Sequence, residues 1–227
     1  MKKLSIYIFL VLIFCNVGSA NDIREFEIEG MSIGDSALDY FSEGELKKAN
    51  DESYKDKKFM ILAMWKEYKI YDVLQIYVKP NDTKYKIYAI GGVIVYSDNL
   101  KDCYKKKDKI VDDLSKDFKD LEKIDNGRIK NSVEVDPYGG TYDSVIFNFM
   151  SGDVIQVSCN DWSNKSRIVD SVKVEVYSKE VKNYLITKKI VELASVHSRG
   201  RIISFLEGGY DLIALDESIK EHIKGLV

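Results

Sequence analysis

Two blocks of this chain alternate in polarity with a period of two, Phe59 to Tyr96 and Thr141 to Tyr177, and one long helical pattern separates them. In the first block Leu74, Ile76 and Val78 oppose Val73, Gln75 and Tyr77. In the second, Val145, Phe147 and Phe149 alternate ahead of a turn at Ser151-Gly152-Asp153, and Val172, Val174 and Val176 repeat the pattern. Successive side chains of a strand point to opposite faces, so this period commits both blocks to β structure. Between them, over Asn99 to Leu121, Cys103, Ile110, Val111, Leu114, Phe118 and Leu121 recur at helical spacing and mark one buried face. Lys105-Lys106-Lys107 is expected on the opposite, solvated side. Strands and helices are grouped rather than strictly alternating. The pattern predicts an α+β fold, a largely antiparallel sheet with a few helices.

The chain opens on a segment that is not part of this fold. Lys2-Lys3, the apolar run Leu4 to Cys15, and Gly18-Ser19-Ala20 form the three parts of a secretory signal peptide. Cleavage is expected at about Ala20, which places the mature protein in the periplasm or outside the cell. The run is short of the roughly 20 residues of a membrane span, and no transmembrane segment is expected in the mature chain. Phe14 stands where a lipoprotein signal needs a small residue. Loss of the signal peptide leaves Cys103 and Cys159, an even pair that reads as a disulfide in an oxidising compartment. Two buried free thiols are the other reading. With 34 basic against 37 acidic residues the chain lacks the basic excess of a nucleic-acid binder. No other partner is indicated, and the oligomeric state is open.

Residues 22 to 29 alternate like a short strand, Asp35 or Ser36 is placed to cap a helix, and Ser42 with Glu45 makes a capping-box pattern. Gly30-Met31-Ser32-Ile33-Gly34 matches the bare G-x-S-x-G elbow, and Gly34-Asp35-Ser36 resembles the opening block of GDSL-type hydrolases. An elbow serine needs several strands before it, which Ser32 lacks. The aspartate expected three residues before a catalytic histidine is Ala194 before His197 and Ile219 before His222. Helix capping explains these residues more simply. Six tyrosines, Tyr68, Tyr71, Tyr77, Tyr85, Tyr88 and Tyr96, read as sheet packing ahead of an aromatic binding face. Gly91-Gly92 predicts a bulge or bend, and 127–140 a loop.

The texture changes near Thr187. Lys188 to His197 is helical and ends at Gly200, Arg201 to Leu206 is strand-like, and Leu212, Leu215, Ile219, Ile223 and Leu226 step along a final helix. The run Gly200 to Leu212, with Gly208-Gly209-Tyr210 at its heart, resembles the C-terminal end of the histone deacetylase family, bacterial acetoin-utilisation and amidohydrolase type. The resemblance covers 187–227 and implies that Tyr210, on a loop that Gly208 and Gly209 make tight, donates a hydrogen bond to a substrate carbonyl beside a catalytic zinc. The family's Asp-x-His ligands and adjacent histidine pair are absent from this sequence. No cofactor is therefore expected for the chain alone, with zinc only if a partner chain completes the site. The organisation expected is a signal peptide (1–20), an exported α+β domain (21–186) and a deacetylase-like fragment (187–227). The function expected is a non-catalytic binding or envelope-associated role. The alternatives are a split or vestigial zinc-dependent deacetylase and, third, a secreted serine hydrolase.

Overall fold

The computed structural model describes residues 22–51, 56–97, 99–131, 136, 138–166 and 168–202. Eight antiparallel strands form one sheet: β1 (Asn50–Asp51), β2 (Met60–Trp65), β3 (Val73–Val78), β4 (Ala89–Val95), β5 (Glu122–Lys130), β6 (Thr141–Asn148), β7 (Val154–Asp161) and β8 (Ser171–Tyr177). Their order is β1-β2-β3-β4-β8-β7-β6-β5. The chain thus makes two four-strand meanders that meet at β4 and β8. The fold is α+β, as the alternation predicts.

The helix α1 (Glu43–Lys48) starts at Ser42 with the full reciprocal capping box to Glu45. Helix α2 (Leu100–Asp117) joins the two meanders and lies on the sheet face that carries Leu74, Ile76, Ile90, Val157, Val174 and Val176. Residues 22–49 share this core through Ile23, Ile28, Met31, Phe41 and Leu46. Helix α3 (Lys179–Ser198) packs against the other face, where Val181 and Tyr184 meet Phe59, Tyr77 and Tyr177.

Several expectations change. Residues 22–29 are not a strand: Asp22 caps a 3-10 turn at Ile23–Glu25, and Ile28 bridges only to Met31. The start of the segment expected as a loop, 127–130, is the end of β5, an edge strand exposed along most of its length, with Gly127 at a register shift. Gly91 and Gly92 lie in unbroken register with β3 and β8, so there is no bulge. The ring of Tyr71 fills the space over Gly92, where a Cβ would stand 2.4 Å from it. Lys107 is not on the solvated side of α2. It lies one turn from both Cys103 and Val111, is only 5% exposed, and pairs with Asp143. The helix expected from Lys188 begins at Lys179 and runs without a break across residues 186 and 187. It ends at Arg199, in the left-handed region at φ 54°, with Gly200 following.

Candidate polar binding cleft on the sheet

The face opposite α2 has two characters. Near α3 it is aromatic: Tyr77 meets Tyr177 edge-on at 5.9 Å, and Phe59 packs against both Tyr88 and Tyr184. Towards β6 it is polar. On β7 the residues on this face are Gln156, Ser158 and Asn160, while Ile155, Val157 and Cys159 point to the α2 side. On β8, Ser171, Lys173 and Glu175 oppose Val172, Val174 and Val176 in the same way. Such an alternation normally puts the polar members in water. Here Ser158 is 1% exposed, Ser171 3% and Glu175 6%. This part of the polar face is covered, while Gln156 and Lys173 beside it are half-buried.

The enclosure is a cleft of about 290 Å³ with Gln156, Ser158, Lys173 and Glu175 on its floor. Tyr142, Asn131 and Trp162 stand at one side, and α3 contributes Leu185, Lys188, Lys189 and Glu192 at the other. In the register Gln156 lies directly across from Glu175, and Ser158 across from Lys173. The Glu175 side chain leans over Gly91, where a Cβ would come within 3.0 Å of its Cγ.

The Trp162 side is held by carboxylates. Asp136 accepts from the backbone N–H groups of Tyr138, Gly140 and Ser163 at 2.9–3.1 Å. Burial pushes the Asp136 carboxyl up, but these amides outweigh it and hold it below the ordinary value. Asp170 accepts from the Trp162 N–H at 2.8 Å, yet its burial and the nearby Asp161 leave it raised. Gly140 is required beside Asp136, since a Cβ there would stand 2.4 Å from the carboxylate.

Many polar groups in the cleft already have partners. Asn160 donates to Ser158 and to the Ser171 carbonyl, Lys173 donates to Gln75 at 3.1 Å, and Lys189 pairs with Glu192. Lys188 pairs with Asp56, which also accepts from the Tyr184 hydroxyl at 2.6 Å. Others do not. The indole N–H of Trp162 and the amide nitrogen of Asn131 are buried without a hydrogen-bond partner. Among the described residues no hydrogen bond satisfies the Glu175 carboxylate, the Gln156 amide or the Tyr142 hydroxyl. The two buried ones, on Trp162 and Asn131, each cost roughly 1–3 kcal/mol.

A larger groove of about 640 Å³ lies between the N-terminal segment and the start of α3, and its charges other than Lys86, which lies over the Tyr88 ring, are engaged. Asp22 pairs with Arg24, Glu180 with Lys79 at 2.9 Å, and Asp153 accepts from the Lys179 N–H. The polar cleft is therefore the stronger candidate.

Of the residues singled out in the sequence, Cys103 and Cys159 are joined, with sulfurs 2.07 Å apart, and both are fully buried between α2 and β7. Ser32 donates to the Phe26 carbonyl at 3.1 Å, and Ser36 donates to the Lys84 carbonyl while capping the turn at Ala37–Asp39. These serine hydroxyls serve the backbone. His197 is exposed in the last turn of α3. Gly208, Gly209, Tyr210 and His222 lie outside the described residues, as does the signal peptide. Among the described residues no group of three or more His, Cys, Asp or Glu is placed to hold a metal, and no helix is long and apolar enough to cross a membrane. The cleft residues carried no signal in the sequence. Their alternation looks like a solvated face until the sheet order places β8 in the middle of the sheet.

No family model, no curated protein and no solved structure matches this chain.

Proposed function

We propose that this is an exported, non-catalytic binding protein whose ligand occupies the cleft between the polar face of β7 and β8 and helix α3. The observation that carries the reading is a polar cleft in which two buried donors, on Asn131 and the Trp162 indole, lack partners. A bound molecule supplying hydrogen bonds to them removes a standing penalty, which is what gives a preformed polar cleft its affinity. Export rests on the signal-peptide pattern of residues 1–20, and the disulfide is of the kind that persists in oxidising compartments.

The test is native mass spectrometry of the protein taken from the compartment where it accumulates. The expected result is a chain starting at about Asn21, with no free thiols and a non-covalent adduct that is lost on denaturation. A chain retaining its first twenty residues would overturn export. A bare chain that also fails to gain thermal stability from any small molecule would overturn binding.

The deacetylase-like run at 200–212 supports a second reading, a split or vestigial deacetylase completed by another chain. Zinc-dependent release of acetate from an acetyl-lysine peptide, lost on Tyr210→Phe, would replace the binding reading with that one. The Ser32 and Ser36 hydroxyls, already donated to backbone carbonyls, leave a serine hydrolase without support.

A further inference from the structure

The floor of the cleft specifies a chemistry as well as a place. Gln156, Glu175, Ser158 and Lys173 stand at the corners of a rectangle. Cross-strand neighbours are ~5 Å apart and same-face residues along a strand ~7 Å apart. That is the footprint of one small ring. The cleft's volume, about 290 Å³, lies at the lower limit of ligand pockets, which begin near ~300 Å³.

The polar groups that line the cleft are of both kinds. Trp162 and Asn131 offer N–H donors, Glu175 offers a carboxylate acceptor, and Gln156 and Tyr142 offer both. Lys173, after its bond to Gln75, retains ammonium protons to donate. The hydroxyl is the ligand group that donates and accepts at the same atom, and several on adjacent carbons match donors and acceptors interleaved at this spacing. Charge points the same way. Lys173 and Glu175 sit two residues apart on one face of β8 and oppose each other in sign, so the floor carries no net charge to select a cation or an anion. Tyr142, Trp162 and Tyr177 add aromatic surface against which C–H faces of a ring pack.

We infer that the cleft binds a small neutral polyhydroxylated ligand, of the class of monosaccharides and cyclic polyols, with Glu175 and Gln156 accepting its hydroxyls and Trp162, Asn131 and Lys173 donating to them. This rests on the reading that the cleft is a binding site.

The chain's two tryptophans are Trp65 and Trp162, and Trp65 is 63% exposed at the far end of the sheet. In a Trp65→Phe background the fluorescence of Trp162 therefore reports the cleft alone. The mature protein is titrated with glucose, galactose, mannose, N-acetylglucosamine and inositol, with glycine and glutamate as zwitterions, and with phosphate and acetate as anions. The expected result is a saturable change with at least one sugar or polyol and none with the charged probes. Glu175→Gln should weaken that binding tenfold or more with circular dichroism unchanged. If this variant fails to fold, Gln156→Ala should weaken it at least threefold. Saturation by an amino acid or an anion, with none by the sugars, would overturn the ligand class and leave the cleft a binding site. No response to any probe, together with no adduct on the native protein, would overturn both. A sugar response unchanged in both variants would place the sugar elsewhere and overturn the inference.

Discussion

Lys107 forms a buried ion pair with Asp143, and Asp143 stands directly across the β6–β7 ladder from Cys159, the residue to which Cys103 is bonded one helical turn before Lys107. One covalent and one ionic tie thus dock the same face of α2 on the same two strands. Burial lowers the tendency of the Lys107 ammonium to keep its proton, but Asp143 and Asp108 outweigh it and hold the group above its ordinary value. Its contribution is then fully present below pH 10.5, the ordinary lysine value, and is lost as the pH rises through the higher value of the folded state.

Replacing Lys107 by Met leaves Asp143 unpaired. Its side chain keeps 21% exposure, so partial rehydration should hold the cost to about 2 kcal/mol, below the ~3–5 kcal/mol of fully buried pairs. Lys107→Met with Asp143→Leu should recover most of that loss. Urea unfolding of the two variants measures it, and equal stability of single and double mutants would show that the pair is not coupled.

The disulfide spans 56 residues of sequence, and loop-closure entropy gives such a bridge about 4 kcal/mol. Cys103→Ser with Cys159→Ser should therefore shift the urea midpoint well below that of the oxidised protein. Mild reductant should act slowly on the wild type, because both sulfurs are fully buried. Timed thiol counts in native buffer and in urea check this, and rapid reduction under native conditions would argue against the burial.

The sheet's strong strands were legible because each gathers aliphatic residues on one face: Leu74, Ile76 and Val78 on β3 and Val172, Val174 and Val176 on β8 leave a period-two record. Strand β5 left none, since an edge strand exposed on both sides has no apolar face to encode. Lys107 misled for a different reason, as its charge suggests water while its position, a turn from Cys103 and from Val111, puts it in the core. The cleft was illegible because Lys173 and Glu175 become neighbours of Ser158 and Gln156 only through strand pairing. The glycine pair on β4 was visible, but its partners were not. Gly92 needs no side chain because Tyr71, twenty-one positions earlier, occupies the space.

That close approach is testable. Gly92→Ala sets a methyl within 2.4 Å of the Tyr71 ring, and overpacking of this kind costs about 1–3 kcal/mol. Adding Tyr71→Ala should make the alanine at 92 nearly neutral relative to Tyr71→Ala alone. Thermal melts of the four proteins form the cycle, and an equal penalty in both backgrounds would mean that the ring is not what the methyl meets.

Helix α3 buries Val181, Tyr184 and Thr187 on the sheet side and runs unbroken past residue 187. A junction between independent units at 186 and 187 would be cut there first by trypsin, which can act at Lys182, Lys188 and Lys189. The helix predicts resistance at Lys182 until global unfolding, because cleavage needs a locally opened chain. Mass spectrometry of a timed digest decides it, and early cutting at Lys182 would mean that the helix opens independently of the sheet.

Acid should release the Trp162 side of the cleft in a defined order. As the pH falls from neutral, Asp170, raised in the folded protein, takes up its proton first, and the folded state favours that step. Asp136 is lowered, so its contribution is complete above its ordinary value of 3.8 and is lost only as the pH drops through the lower folded value. With Trp65→Phe, the Trp162 emission should therefore stay native down to about pH 4 and change below it. In Asp136→Asn, one acceptor oxygen for the Gly140 and Ser163 amides is replaced by a donor, so the emission should be altered already at neutral pH and its acid step should shrink. An acid step of full size in that variant would show that another carboxylate holds the loop.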